Sequence, residues 1–185
     1  PDCHVGGGGG VGCAEGDFAA MPGFQQRGVG EGLGKAQSTV LLSLATAARQ
    51  RSVGPFVFFD HMGPVHLSAD TDSDVGAHPH IGLATVSYLF EGRLLHRDSI
   101  GSVQLITPGD INWMTAGRGI VHSERVPDEE RGKDRRLHGL QLWVALPPAL
   151  EETEPAFQHV AASDIPVHTD PDGAVVRVLV GGLLT

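Results

Sequence analysis

From Lys35 onward the chain runs in short stretches where apolar and polar residues alternate or cluster with a period of two, each closed by glycine, proline, aspartate or serine. This patterning predicts strands at Val40–Leu44, Val57–Phe59, Ala84–Phe90, Leu94–Arg97, Val103–Thr107, Ile111–Thr115, Leu137–Ala145 and Val175–Val180. Turn residues fall where hairpins need them: Glu91-Gly92, Ser99-Ile100-Gly101, Pro108-Gly109-Asp110 and Gly117-Arg118-Gly119. No stretch sustains a helical period, and Ala149–Glu154 is expected to form a turn or two at most. Many short strands joined by tight turns predict an all-β barrel or sandwich.

The first 34 residues differ. Pro1–Gly34 is dominated by glycine, including the run Gly6–Gly10, and buries too little apolar surface to offset its ordering entropy, so it is expected to be mobile. The chain begins without methionine, and Met21 is a candidate native start. The remainder, 35–185, is expected to be one domain, since 185 residues with 41% hydrophobic content fill one core. An apolar run ends in Gly181-Gly182 and three more residues, which reads as a chain cut before a further element.

A formal charge of −9 removes the clustered lysine and arginine that phosphate backbones or anionic lipid demand, so direct nucleic-acid binding is not expected. The two cysteines, Cys3 and Cys13, both lie in the glycine-rich start and do not indicate a disulfide framework. Apolar stretches such as Ser38–Ala47 and Leu140–Leu150 fall short of the roughly 20 residues of a membrane span, and no secretory leader is visible. The expectation is a soluble protein of the cytoplasm.

Two residue pairs carry the candidate chemistry. In His78-Pro79-His80 an extended backbone puts both imidazoles on one face, with their Cα atoms about 6.6 Å apart, and proline suits an edge strand. His122-Ser123-Glu124 repeats that spacing with a carboxylate in second place, directly after an apolar strand and a tight glycine turn. Each pair alone is more often a surface feature. Together they offer three imidazoles and a carboxylate, a mixed nitrogen and oxygen set suited to Fe, Mn, Ni, Cu or Zn and poorly suited to Ca or Mg. Gly117 and Gly119 precede the second pair, where a sharp turn calls for positive φ.

The stretches HPHIGLATVSYLFEG, HRDSIGSV, PGDINWMTAGRGIVHSE and HGLQLWVALP, with the entry segment VGPFVFFDHMGP, resemble the N-terminal cupin domain of the pirin family over roughly Val40 to Val180. The resemblance implies a cupin barrel, the jelly-roll-like double-stranded β-helix, as one domain of what is a bicupin in the family. It also implies that His78, His80, His122 and Glu124 hold one metal, most often iron as Fe(II). The general cupin motif has a glutamate a few residues after its HxH pair, where Ala84 stands here, which leaves Glu124 as the one carboxylate ligand. The resemblance covers the first of the family's two cupin domains, and a second is not expected within these residues.

Two functions follow from that resemblance. One is an iron-dependent dioxygenase of the quercetin 2,3-dioxygenase type acting on a flavonol, with Glu124 as the catalytic residue that accepts the substrate's proton. The other is a non-enzymatic, redox-sensing interaction module like the family's transcription co-regulator, for which the sequence offers no partner motif. Asp60 and His61 either line the metal cavity or anchor a loop. His96, His138, His159 and His168 lack a partner at ligand spacing and are expected to be structural or exposed, while Trp113, Met114 and Trp143 are expected in the core. Arg118 reads as a turn residue, and Asp128–Glu130 with Arg135-Arg136 as a solvated loop.

Overall fold

The computed structural model describes residues 52–181 and two short strands near the start, β1 (Cys3–Gly6) and β2 (Gly10–Cys13), which pair antiparallel. The strand expected at Val40–Leu44 and the boundary expected at residue 34 lie outside the described residues. The chain divides into two units, one of Val29–Ala162 and one of Pro1–Gly28 with Ser163–Thr185.

The unit of Val29–Ala162 holds nine described strands: β3 (Phe56–Leu67), β4 (Val75–His80), β5 (Leu83–Glu91), β6 (Leu94–Asp98), β7 (Val103–Ile106), β8 (Ile111–Thr115), β9 (Ile120–Arg125), β10 (Arg135–Ala145) and β11 (Ala156–Val160). They form a five-stranded sheet in the order β11-β8-β5-β10-β3 and a four-stranded sheet in the order β4-β9-β6-β7. Every pairing is antiparallel. In the other unit β12 (Val167–Thr169) pairs with β13 (Val175–Arg177).

Side chains from the two larger sheets meet face to face. One apolar cluster joins Leu89 of β5 to Leu94 of β6 and Ile106 of β7, with Met62 and Leu137 against it. A second joins Met114, Ala116 and Ile120, with Phe157 of β11 against it. Full burial of each large aliphatic in these clusters stabilises the fold by about 1.5–3 kcal/mol. On the inner face of β5, Ser87 stands between Leu89 and Thr85, and Thr85 is the register partner of Met114. A polar band therefore runs between the two apolar clusters, and the candidate ligands lie in it.

The predicted strands from β5 to β8 and at β10 sit within a residue or two of the observed ones. β3 is longer than expected, running on through Asp60, His61, Gly63 and Pro64 to Leu67. Its place at the sheet edge explains this, because an edge strand tolerates the missing proline donor and a bulge. β11, β12 and the N-terminal hairpin were not expected, and the apolar run at Val175 forms a strand only to Arg177. Asp128–Glu130, expected as a solvated loop, is largely exposed and closes into a short 3-10 turn. Among the described residues no helix is long and apolar enough to cross a membrane.

Candidate metal centre

Both candidate ligand pairs sit on neighbouring strands of the four-stranded sheet. β4 is its edge strand, where Pro79 forfeits no ladder bond to a further neighbour. In the β4–β9 register His78 lies directly opposite His122, and a register shift separates that pair from Val75 opposite Glu124. Residues i and i+2 share a face, so His78, His80, His122 and Glu124 all turn toward the facing sheet.

Three of the four converge. Ligand atoms of His78, His80 and His122 all lie within 4.8 Å of one another. The Nε2 atoms of His80 and His122 are 3.1 Å apart. Two nitrogens each about 2.0–2.1 Å from a common ion and at right angles would be about 2.9 Å apart, and about 3.4 Å at the tetrahedral angle, so the observed separation suits a shared ion. Glu124 is not a member of that close group. Its two oxygens are held from the opposite sheet, Oε1 accepting from Ser87 Oγ at 3.0 Å and Oε2 from Gln141 Nε2 at 2.9 Å. Each carboxylate oxygen can accept two hydrogen bonds and here accepts one, so a lone pair remains on each for a metal.

Burial sets the protonation of the cluster. His80, His122 and Glu124 are buried, and His78 is half-buried. Desolvation, and then the like charge of His78, lowers the pKa of His80. Desolvation with His78, His80 and His96 around it lowers that of His122 to about 3, against a smaller opposing pull from Asp98. Both rings are therefore neutral near pH 7, the form in which imidazole binds metal.

Comparison with known proteins bears directly on this arrangement. The pirin family's sequence model matches residues 37–144, which contain both ligand pairs. The chain belongs to the pirin family. A pirin-like protein of Caulobacter vibrioides is 47% identical over 134 residues, covering 71% of this chain and 46% of that protein. Among solved structures, a quercetin 2,3-dioxygenase from Acinetobacter baumannii is 42% identical with a TM-score of 0.72, covering 80% of this chain and 48% of its own. Another from the same organism is 31% identical with a TM-score of 0.67, covering 78% of this chain and 54% of its own. The two facing antiparallel sheets are thus the cupin barrel of a pirin, and the chain spans about half the length of the curated relatives it matches.

Several residues around this site make contacts that their sequence context left open. His96, expected to be structural or exposed, is 3% exposed, with its Nδ1 facing His122 Nδ1 at 3.5 Å and its Nε2 meeting Asp98 Oδ2 at 3.0 Å. Its signal was the His96-Arg97-Asp98 spacing, a third i, i+2 pair on a strand. Trp143, half-buried, is stacked on Phe58 at 4.4 Å between ring centroids and stands edge-on to His80 at 5.1 Å, so it walls the three-histidine group. Asp60 is buried in register with Gln141, and burial raises its pKa. His61 is turned to His138, Nε2 to Nε2 at 2.9 Å, and lies outside the three-histidine group. Met114 is buried in the core, and His159 bonds Asn112 Oδ1 at 2.8 Å.

Proposed function

We propose that this pirin domain holds one mononuclear first-row metal, Fe(II) by preference, on His78, His80, His122 and Glu124, and oxidises a flavonol in the manner of a quercetin 2,3-dioxygenase. The observation that carries this reading is the convergence of three imidazoles, two of them forced neutral, inside a barrel whose facing sheet holds Glu124 by both oxygens. The substrate class rests on the likeness to the Acinetobacter quercetin 2,3-dioxygenase.

When bound, such a metal acts as a Lewis acid that lowers the pKa of a coordinated hydroxyl. The protein's own groups would supply the rest. Glu124 accepts the flavonol proton on a carboxylate oxygen, and Ser87 and Gln141 keep that carboxylate aimed inward while it does so. Trp143 and Phe58 exclude water on the His80 side. His78, the least buried of the three histidines, marks the side from which substrate reaches the site. A reducing cytoplasm would keep the iron ferrous between turnovers.

The test is iron-loaded protein mixed with quercetin in air-saturated buffer, following flavonol absorbance and dioxygen uptake together. Turnover above the metal-free baseline is expected, falling about a hundredfold or more in Glu124→Gln. Full metal occupancy without turnover would reject the dioxygenase reading.

A further inference from the structure

Behind His122, on the side away from His80, two buried side chains, His96 and Asp98, continue from it as a chain. In the β6–β9 register Asp98 lies opposite His122 and His96 opposite Glu124, all on the inner face. His96 then touches His122 on the diagonal, Nδ1 to Nδ1 at 3.5 Å, and meets Asp98 through Nε2 at 3.0 Å. The Asp98 side chain is fully buried and that of His96 nearly so. Asp98 Oδ1 already accepts the backbone N–H groups of Ile100 at 3.1 Å and Ser102 at 2.8 Å, which fixes the carboxylate at the strand end as an acceptor.

The tautomers follow from that acceptor. A carboxylate facing Nε2 of His96 places the His96 proton on Nε2 and leaves its Nδ1 with a lone pair. A lone pair facing Nδ1 of His122 favours the His122 proton on Nδ1, and the His122 Nε2 lone pair then faces Nε2 of His80 at 3.1 Å. We propose that Asp98 and His96 are positioning residues that hold His122 in the one tautomer able to offer Nε2 to a metal. This rests on the reading of His122 as a ligand.

Asp98→Asn supplies the sharp test, because the amide oxygen keeps the bonds from Ile100 and Ser102 while the amide nitrogen becomes a donor toward His96. His96 must then carry its proton on Nδ1, and His122 is driven to protonate Nε2, the coordinating atom. Imidazole nitrogen NMR of the metal-free protein should show the His122 proton on Nδ1 in the wild type and on Nε2 in Asp98→Asn. Zn(II) titration of the same samples should show a Kd raised about 10- to 100-fold by the substitution. His96→Gln, whose amide both donates to Asp98 and accepts from His122, should stay within a few-fold of wild type, whereas His96→Leu should match Asp98→Asn. If Asp98→Asn does not fold, the His96 pair carries the test alone. An unmoved His122 proton with unchanged Zn(II) affinity in Asp98→Asn, or equal affinity in His96→Gln and His96→Leu, would overturn the relay. Wild-type protein that shows the expected tautomer but binds no Zn(II) would instead reject His122 as a ligand.

Discussion

At the residue scale, the depressed pKa of His122 carries a pH dependence with a definite sign. Its folded value of about 3 lies below the ordinary 6.5, so between those limits the unfolded chain binds the extra proton. Stability from this group is complete above about pH 6.5 and falls as pH drops toward 3. His80, lowered in the same direction by burial, adds to the trend. Asp74, Asp98 and Asp110 are lowered carboxylates whose contributions are lost only below their ordinary 3.8, while Asp60, raised by burial, has the opposite slope above 3.8. The histidine effect is therefore read as a difference. In chelator-treated protein, Tm should fall between pH 6.5 and 4.5, and fall less steeply in His122→Asn. Parallel curves for the two proteins would contradict the buried, neutral ring.

At the scale of the element, the turn from β8 to β9 aims the second ligand pair. Gly117 O accepts from Gly82 N at 2.8 Å, just after His80, and Arg118 N donates to Thr153 O at 2.9 Å, so one turn ties both ligand strands to the same neighbours. Gly117 has φ +52°, and a Cβ there would collide with the Thr153 carbonyl. Gly117→Ala should therefore cost about 1–3 kcal/mol in urea unfolding, whereas Gly76→Ala in β4, with open space and ordinary φ, should be near neutral. An equal effect at the two positions would contradict the role given to the turn. Elements bounded by clear turn residues, such as β5, β6, β8 and β10, were legible in the sequence. The far half of β3 was not, because Gly63 and Pro64 read as breakers until the strand is known to lie at an edge. The same divide separates the site residues. His78 with His80, and His122 with Glu124, announce themselves by local spacing. The contact of His96 with His122, and the anchoring of Glu124 by Ser87 and Gln141, depend on strand pairing and sheet facing that no local pattern encodes.

For the molecule as a whole, the two facing sheets supply what neither ligand pair has alone. The four-stranded sheet carries all four proposed ligands, and the five-stranded sheet supplies the hydrogen bonds to Glu124 and the aromatic wall beside His80. The all-β class was legible because short apolar runs closed by turn residues mark most of the strands. The central claim, that this barrel is built around one metal ion, is tested most directly by counting metal after Fe(II) loading and desalting under anaerobic conditions, in the wild type and in a His80→Ala, His122→Ala double variant. One iron per chain is expected in the wild type and none above background in the variant. No bound iron in the wild type, or one equivalent retained by the folded variant, would contradict it.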